Sequence, residues 1–358
     1  MTAAFHAIRV AEVRREIDDA VSLALDVPEP LRDRFAFAPG QHLTVRAMID
    51  GAEVRRNYSL CVAPGEGQWR IAVKRIRGGL FSTWANEALS VGDMIEVMPP
   101  HGSFTWQFGG GARRHYAGFA GGSGITPVLS LLKAALAAEP ESHFTLVYGN
   151  RAAPSIMFLE ELAGLKNRYL DRLQIFHFLE DEEDDVALFN GRLDADKVRE
   201  VLETLIDPAG IDVAFVCGPG PMMDAVEAGL LAGGVPGERI LIERFTVGKL
   251  SEAELAAQRA LEQQAAGRRV TVTLEGRRST FAFDADKGSI LENARAAGLP
   301  APFACKAGVC ATCRAKRVSG AVEMKANYGL TAEEIAEGYV LTCQAVPAGD
   351  GVVLDYDQ

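Results

Sequence analysis

Short apolar segments separated by glycine- and proline-containing turns fill roughly the first hundred residues of the chain. His42–Ile49 and Trp69–Ile76 are two such segments, both rich in β-branched residues, and one helix is predicted over Leu80–Leu89. This pattern is typical of a small antiparallel β-barrel. The first domain is therefore predicted to occupy residues 1–110.

After Gly109–Gly111 the pattern changes to strands and helices in alternation. Helices are predicted near 126–138, 156–168, 194–206 and 221–232, and strands over Tyr116–Ala120, Phe144–Tyr148, Leu173–Leu179, Val213–Cys217 and Ile240–Phe245. Alternation of this kind predicts an α/β domain with a parallel, doubly wound sheet and a ligand site at the carboxyl ends of its strands. We assign residues 111–247 to this second domain.

The segment 248–267 is rich in Ala, Glu, Gln and Leu, and it is predicted to be a helical linker. The third domain, 268–358, contains four cysteines with C-x4-C-x2-C-x29-C spacing: Cys305, Cys310, Cys313 and Cys343. This spacing is that of the ligands of a plant-type [2Fe-2S] cluster. Gly308 allows the loop to curl and direct N–H groups at the sulfurs, and Cys343 is predicted to come from a strand over Tyr339–Cys343.

Two alternatives for the cysteines remain open, a structural zinc site and a pair of disulfides. Zinc sites favour two C-x2-C knuckles, and disulfides fit poorly with a chain that shows no secretory signal. The segment Pro302–Cys313 resembles the cluster loop of plant-type ferredoxins. That resemblance implies an α+β β-grasp fold for about the last ninety residues.

Charge and hydropathy exclude several classes of function. The net charge is −11, and no basic stripe with interleaved aromatic residues is present, so we expect no nucleic-acid partner. The acidic run 180–185 is interpreted as a solvated loop. The apolar runs are short, which predicts no membrane span, and no export signal is visible, so a cytoplasmic location is expected.

Arg56-Asn57-Tyr58-Ser59 resembles the R-x-Y-S flavin motif of the ferredoxin–NADP reductase superfamily. On a strand, Arg56 and Tyr58 would point to the same side. The resemblance implies that Arg56 holds a flavin phosphate, Tyr58 lies against the isoalloxazine and Ser59 offers its hydroxyl near flavin N5. The alternative is a surface arginine beside a half-buried tyrosine.

A second phosphate-binding element of that superfamily follows a strand. Here Lys74 ends a predicted strand, and Gly79 and Ser82 open the next helix. Glycine permits a close approach, and a helix N-terminus offers free N–H groups to an anion. An ordinary glycine turn with a serine cap is the alternative.

Two glycine-containing loops of the second domain are similar to nucleotide-binding loops of the same superfamily. The segment Ala120–Pro127 resembles its G-x-G-x-T/S-P loop, with Gly122, Gly124 and Thr126 as candidate contacts and Pro127 in the first helical turn. Cys217, Gly218 and Pro219 resemble its C-G-P motif, which lies beside the nicotinamide. A buried strand-end thiol is the alternative for Cys217.

The segment Glu243-Arg244-Phe245 resembles the terminal E-x-F of the superfamily, so Phe245 is a candidate to cover the other flavin face, or it belongs to the core. Arg151 follows a strand and is a candidate for the ribose 2′-phosphate. Because no acidic residue stands at that strand end, the sequence favours NADPH, with NADH as the other possibility.

The domain order is similar to that of reductase components of bacterial multicomponent oxygenases, most closely the phenylacetyl-CoA epoxidase reductase subunit. The resemblance implies electron flow from NAD(P)H through FAD and [2Fe-2S] to a protein acceptor, a di-iron oxygenase, with Tyr58, Ser59 and Cys217 as candidate catalytic residues. Two alternatives remain: a reductase for another acceptor, such as a ring-hydroxylating dioxygenase or hybrid-cluster protein, and a non-enzymatic redox sensor.

Overall fold

The structure is a computed structural model that describes residues 5–245 and 251–358. Phe5–Val54 and Tyr58–Phe245 form one compact unit. Residues Arg55–Asn57, in the middle of one strand of the first domain, are grouped with the chain from residue 251 onward in the other unit. Each unit is described below by itself.

The first part of the larger unit is built from six strands and one helix. They are β1 (His6–Ile17), β2 (Ala20–Asp26), β3 (His42–Ile49), β4 (Ala52–Ser59), β5 (Trp69–Lys74), α1 (Leu80–Glu87) and β6 (Met94–Val97). The sheet has the order β4-β3-β6-β1-β2-β5, and the β1–β2, β1–β6, β2–β5 and β3–β6 pairs are antiparallel. A bridge between Leu60 and Ile71 brings the end of β4 to β5, so the two edge strands meet as in a barrel.

The second part of this unit alternates strands and helices. They are β7 (His115–Gly121), α2 (Ile125–Ala138), β8 (His143–Asn150), α3 (Leu159–Arg168), β9 (Leu173–Leu179), α4 (Ala195–Thr204), β10 (Val213–Cys217), α5 (Gly220–Ala232) and β11 (Ile240–Glu243). The sheet is parallel with the order β11-β10-β7-β8-β9. The chain runs outward from β7 in one direction and then returns to β10 on its other side. The topological switch point therefore lies between β7 and β10, where such sheets bind their ligands.

One hydrophobic core joins the barrel to the α/β sheet. Ile17 and Cys61 of the barrel part belong to the same buried cluster as Leu129 of α2 and Phe215 of β10. The Ser130 hydroxyl adds a polar tie, because it donates to the Val62 carbonyl at 2.6 Å and accepts from the Gly40 N–H at 3.2 Å. The two parts predicted as separate domains thus share one core. This core fixes the position of the loops of one part relative to the loops of the other.

The smaller unit contains a five-stranded sheet of order β13-β12-β18-β14-β16 and a short β15–β17 pair. Its elements are α6 (Glu252–Ala265), β12 (Arg269–Leu274), β13 (Arg277–Ala282), α7 (Ile290–Ala296), β14 (Arg314–Ser319), β15 (Val322–Met324), α8 (Ala332–Ala336), β16 (Tyr339–Leu341), β17 (Ala345–Pro347) and β18 (Val352–Asp355). α7 supplies Ile290, Leu291 and Ala294 to the core beneath the sheet.

Helix α6 covers most of the predicted linker, of which residues 248–250 lie outside the described residues. A capping box at Ser251 begins the helix. Ala265 is buried in the core of the smaller unit, and Glu262 pairs with the mostly buried Lys325 at 2.5 Å. The helix therefore packs on this unit along its C-terminal half.

Two predicted strand ends differ in the structure. The strand predicted over Tyr339–Cys343 ends at Leu341, because Thr342 turns to donate its N–H to the Cys313 carbonyl at 3.2 Å, and Cys343 lies in the turn that follows. The strand predicted over Ile240–Phe245 ends at Glu243. Phe245 lies beyond it and is 40% exposed, so it is not a core residue.

Candidate functional site

The two glycine-containing loops of the α/β sheet meet at its switch point. A β-carbon on Gly124 would lie 2.1 Å from the Cys217 carbonyl oxygen, and one on Gly218 would lie 2.9 Å from the Gly121 nitrogen. Only glycine allows this backbone-to-backbone approach. The predicted motifs thus form one surface between β7 and β10.

Hydrogen bonds fix the first of these loops. The Tyr148 hydroxyl donates to the Gly122 carbonyl at 3.0 Å, and the Thr126 hydroxyl donates to the Ser123 carbonyl at 3.0 Å. The first turn of α2 follows directly, and its N–H groups face the loop, as in an anion-binding helix N-terminus. The arrangement suits the pyrophosphate of a dinucleotide.

Cys217 is fully buried at the end of β10, and burial raises the pKa of its thiol well above the ordinary value. The thiol is therefore protonated at neutral pH. At the surface of the loop, Cys217 therefore contributes its backbone carbonyl, which contacts Gly124.

Ser59 at the end of β4 has the character of a ligand contact. It is 2% exposed, and its hydroxyl is buried with no hydrogen-bond partner among the described residues. A buried hydroxyl left without a partner costs free energy. A polar ring atom of a flavin would relieve that cost, so the residue fits the implied cofactor.

The neighbouring residues Tyr58 and Arg56 of β4 differ in their surroundings. The Tyr58 ring packs against Phe81 of α1, with centroids 5.4 Å apart and planes 35° from parallel. Arg56 is exposed, and its guanidinium donates to the Arg55 carbonyl at 2.7 Å. The second phosphate element follows β5, where the Ser82 hydroxyl accepts from the Ile76 N–H at 3.1 Å and donates to the Gly79 carbonyl at 3.2 Å.

That serine therefore shapes the turn, and Gly79 leaves room for it, because a β-carbon there would lie 2.5 Å from the Ser82 oxygen. Lys74 precedes the turn and is 4.0 Å from Asp19. Burial lowers the pKa of Lys74, and the charge of Arg151 lowers it further. Strand β5 also contacts the turn of residues 122–124. The structure thus brings two cations of the predicted set, one from each part of the unit, close to the nucleotide loop.

Asn150 and His177, which are not among the predicted site residues, share with Ser59 a buried polar atom that has no hydrogen-bond partner. Both polar side-chain atoms of Asn150 and the Nδ1 atom of His177 are buried without a hydrogen-bond partner. The Asn150 amide is close to the Tyr148 hydroxyl, but the two groups do not have the geometry of a hydrogen bond. Burial lowers the pKa of His177, so its ring is neutral. They lie toward the carboxyl ends of the adjacent strands β8 and β9. A polar residue interrupting an apolar strand near this end was the available sequence signal.

Acidic residues lie beside Arg151, contrary to the expectation drawn from the end of β8 alone. The Asp181 N–H donates to the Arg151 carbonyl at 2.7 Å, and the Glu180 N–H donates to the Asn150 carbonyl at 3.0 Å. A hydrogen bond from Arg192 lowers the pKa of Glu180, which is therefore ionised. The predicted 2′-phosphate residue thus lies beside Glu180 and Asp181, which directly follow β9.

In the smaller unit the four cysteines come together as two pairs. A hydrogen bond between the thiols raises the pKa of Cys305 beside Cys310, and another lowers the pKa of Cys343 beside Cys313. No three His, Cys, Asp or Glu side chains of the described residues converge on a single metal ion, and the thiols instead pair two by two. Two thiolates for each of two irons is the donor set of a [2Fe-2S] cluster.

The loop backbone directs N–H groups at these sulfurs. The Ala307 and Cys310 N–H groups donate to the Cys305 sulfur at 3.3 and 3.4 Å. Lys306, Gly308 and Ala311 adopt left-handed conformations, with φ of 55°, 76° and 52°. The backbone therefore curls around the thiols, and the donor set fits the cluster.

Family models match three successive segments of the chain. Residues 7–106 match an oxidoreductase FAD-binding domain, residues 119–228 an oxidoreductase NAD-binding domain, and residues 272–348 a 2Fe-2S iron-sulfur cluster binding domain. The chain is 43% identical over 353 residues to one of the subunits of 1,2-phenylacetyl-CoA epoxidase from Escherichia coli (strain K12), covering 99% of this chain and 98% of that protein. The chain belongs to the ferredoxin–NADP reductase superfamily.

Two further members extend the comparison. This reductase is 35% identical over 355 residues to the ferredoxin reductase component of 3-ketosteroid-9-alpha-monooxygenase from Rhodococcus rhodochrous, covering 98% of this chain and 96% of that protein. It also resembles the solved structure of phthalate dioxygenase reductase, with a TM-score of 0.59, 26% identity and coverage of 99% and 100% of the two chains. The predicted order of barrel, α/β domain and cluster domain is confirmed.

The reductase is thus an NAD(P)H oxidoreductase with FAD and [2Fe-2S], and its chemistry requires an electron acceptor. None of its described helices is long and apolar enough to span a membrane. A cavity of about 1070 Å³ lies elsewhere in the larger unit, lined in part by Trp106, Lys133, Glu161 and Tyr169. Its lining includes none of the predicted site residues, so the cavity is separate from the switch-point surface.

Proposed function

We propose that this chain takes electrons from NADPH and passes them to a di-iron oxygenase that epoxidises phenylacetyl-CoA. The observation that carries the choice of acceptor is the 43% identity to the Escherichia coli epoxidase protein across nearly the full length of both chains. When bound, the cofactors would supply a hydride from the nicotinamide, release of its two electrons one at a time and of its proton from the flavin, and transfer of single electrons by the cluster.

The barrel residues have distinct roles in this proposal. Arg56 and Lys74 neutralise flavin phosphates, and the turn held by Ser82 and Gly79 allows the backbone to approach them. Tyr58 supports one face of the flavin ring, and its packing on Phe81 fixes its tilt. Ser59 donates its unpartnered hydroxyl to the ring near the hydride-accepting atom.

The nucleotide residues act at the switch point. Gly122, Gly124 and Thr126 form the loop for the pyrophosphate, while Cys217, Gly218 and Pro219 border the nicotinamide. Phe245 covers the second flavin face, and its 40% exposure supports a contact that a ligand completes. Arg151 pairs with the 2′-phosphate of NADPH, supported by its proximity to Lys74.

The four cysteines Cys305, Cys310, Cys313 and Cys343 hold the cluster, two to each iron. This assignment is supported by their thiol pairing and by the N–H groups aimed at Cys305. Because three of the four side chains are buried, the protein shields the cluster from solvent while leaving Cys305 partly exposed.

A second candidate acceptor is a different oxygenase. The 35% identity to the reductase component of 3-ketosteroid-9-alpha-monooxygenase supports this possibility, since that relative serves another substrate. A second candidate donor is NADH, which the carboxylates Glu180 and Asp181 beside Arg151 favour, because they would repel a 2′-phosphate.

Reconstitution tests the proposal directly. Purified reductase is mixed with NADPH and either the oxygenase subunits of the Escherichia coli epoxidase or the oxygenase component of the Rhodococcus rhodochrous monooxygenase. We expect epoxide formation with phenylacetyl-CoA at a rate matching NADPH consumption, and no turnover of a ketosteroid. If NADPH consumption were coupled to product formation only with the Rhodococcus rhodochrous oxygenase, the chain would instead be a reductase for that class of oxygenase.

A further inference from the structure

We propose that Gln344 is a positioning residue that sets the reduction potential of the cluster. Its side-chain amide donates to the sulfur of Cys343 and, at the same time, holds the loop that carries the other three cysteines. The inference rests on the proposed ligation by Cys305, Cys310, Cys313 and Cys343, and it adds a residue outside that ligand set.

The amide of Gln344 reaches two acceptors. Its Nε2 atom lies 2.9 Å from the Lys306 carbonyl oxygen and 3.7 Å from the Cys343 sulfur. A glutamine amide nitrogen carries two N–H groups, so both hydrogen bonds can be made together. The Gln344 side chain therefore links Cys343, the fourth cysteine, to Lys306, which directly follows the first cysteine.

The side chain is held in place along its whole length. Gln344 is only 9% exposed, and its Cγ lies 3.0 Å from where a β-carbon on Gly308 would stand. Its backbone N–H donates to the Leu341 carbonyl at 2.9 Å, and its carbonyl accepts from the Lys325 N–H at 2.9 Å. An amide fixed at its backbone and packed along its stem presents its N–H groups in one orientation.

The Lys306 contact explains why the amide must be there. Lys306 is a non-glycine residue with φ of 55°, and such a conformation needs support from its surroundings. The Gln344 amide stabilises the Lys306 carbonyl in this conformation, next to Cys305. Without it, the loop loses one of its ties to the turn between β16 and β17, while the hydrogen bonds from Thr342 to the Cys313 carbonyl remain.

The contact with sulfur has an electronic consequence. Reduction adds one negative charge to a cluster and its thiolates, and an N–H group aimed at a ligand sulfur stabilises that charge. The Gln344 hydrogen bond therefore favours the reduced state and raises the potential. Removing it shifts the equilibrium between flavin and cluster toward the oxidised cluster.

Two substitutions separate this effect from simple packing. Gln344→Met keeps the length and bulk of the side chain and removes both N–H groups. Gln344→Glu keeps the shape and places an acceptor-only, negatively charged group beside the sulfur. The matched control is Thr280→Val on the edge strand β13, which removes a 2.8 Å hydroxyl contact with Thr271 in the same sheet.

The full-length protein with its cofactors is titrated by spectroelectrochemistry, with the flavin as internal reference. For Gln344→Met we expect about a tenfold shift of the one-electron equilibrium toward oxidised cluster, which is about 59 mV. Gln344→Glu should shift it further in the same direction. Thr280→Val and the flavin potential of every variant should remain unchanged.

A wild-type cluster potential in Gln344→Met or Gln344→Glu, measured on protein that retains its iron, would overturn the inference. Loss of the cluster from both variants would overturn it too, because Gln344 would then have only a structural role. A wild-type protein without cluster absorption would instead contradict the proposed ligand set, so the two failures are distinguishable.

Discussion

The carbonyl oxygen of Cys217 occupies the space that a side chain at Gly124 would need, since a β-carbon there would lie 2.1 Å from it. Gly124 has an ordinary helical φ of −61°, so its requirement is for space and not for an unusual backbone. The ends of β7 and β10 can approach only while this residue is glycine. The contact therefore fixes the width of the switch-point crevice.

Gly124→Ala is expected to displace the nucleotide loop from the 217–219 loop. An overlap of this kind typically costs about 1–3 kcal/mol, so kcat/KM for NADPH should fall roughly tenfold or more. Flavin content should be unchanged, because the barrel residues that hold the flavin do not move. Stopped-flow bleaching of the flavin by NADPH measures the effect.

The matched control is Gly220→Ala at the start of α5, where an added β-carbon meets no atom within 4 Å. It should reduce flavin at the wild-type rate. Equal loss in both variants would show that any substitution near the crevice is damaging, and the specific role of the Gly124 contact would be contradicted.

Ser59→Ala offers an unusual test, because the hydroxyl it removes has no partner among the described residues. Without flavin, the variant should be as stable as the wild type or slightly more so, since no protein hydrogen bond is lost. With flavin, reduction by NADPH should slow by roughly five-fold, as expected for loss of about 1 kcal/mol. Thermal unfolding of the apoprotein and stopped-flow kinetics give the two readouts.

A lower unfolding temperature of the apoprotein, with unchanged flavin reduction, would mean that Ser59 serves only the fold. Tyr58→Phe is a useful companion, because it keeps the ring that packs on Phe81. It should leave flavin content close to that of the wild type.

Local pattern was sufficient for several elements of the fold. The strands predicted over Leu173–Leu179 and Val213–Cys217 have the predicted bounds, since both are short and mostly apolar, and every residue of the central strand Val213–Cys217 is buried. The cysteine spacing predicted the cluster domain because its first three ligands are local in sequence. These are the features for which a few neighbouring residues determine the outcome.

Features that depend on distant partners could not be predicted in this way. The turn at Cys343 forms because Thr342 binds the Cys313 carbonyl, twenty-nine residues earlier in the chain. The sequence shows Asn150 and His177 as polar residues on mostly apolar strands, but only the fold shows that their polar atoms are buried without partners. The carboxylates beside Arg151 belong to the segment that follows the neighbouring strand β9, so inspection of the end of β8 alone missed them.

Cys310→Ser should remove the cluster absorption and leave flavin reduction intact. The serine hydroxyl is a poor substitute for a thiolate ligand, and Tyr58, Ser59 and the nucleotide loops lie in a different compact unit. Iron content, visible spectra and flavin bleaching by NADPH are measured on the same preparation. Electron delivery to a protein acceptor should cease.

Cys61→Ser is the control, because Cys61 is buried in the larger unit, where burial raises its pKa to about 12. It should retain full iron. Full cluster occupancy in Cys310→Ser would show that the ligand assignment is wrong.

Glu139 should make the larger unit sensitive to acid. Although burial opposes ionisation, hydrogen bonds from Ser142, Gly109 and Tyr116 and the charge of Arg114 lower the pKa of this fully buried carboxylate. Its folded pKa is below the unfolded one, so its stabilisation is present at neutral pH and is lost as pH falls below about 4.5. Unfolding temperatures measured from pH 7 to pH 3.5 should show this loss.

Glu139→Gln should cost about 1–3 kcal/mol at pH 7 and flatten the acid dependence, because several donors lose their charged acceptor. Glu87→Gln, which breaks an exposed pair with Arg75, should have little effect. The same acid dependence in Glu139→Gln and wild type would assign the effect to other carboxylates.

Arg151 is expected to determine whether the reductase prefers NADPH or NADH. The carboxylates beside it are expected to act in the opposite direction, so the two effects can be measured separately. If its guanidinium binds the 2′-phosphate, Arg151→Ala should raise the KM for NADPH roughly tenfold to a hundredfold, the equivalent of a charge-assisted hydrogen bond of about 1.5–3 kcal/mol, and hardly change that for NADH. Glu180→Gln should act in the opposite direction and lower the KM for NADPH, because it removes a negative charge close to the phosphate. Steady-state kinetics with both nucleotides on the two variants measure this. A wild-type preference for NADH that Glu180→Gln reverses would instead show that the carboxylates after β9 outweigh the charge of Arg151.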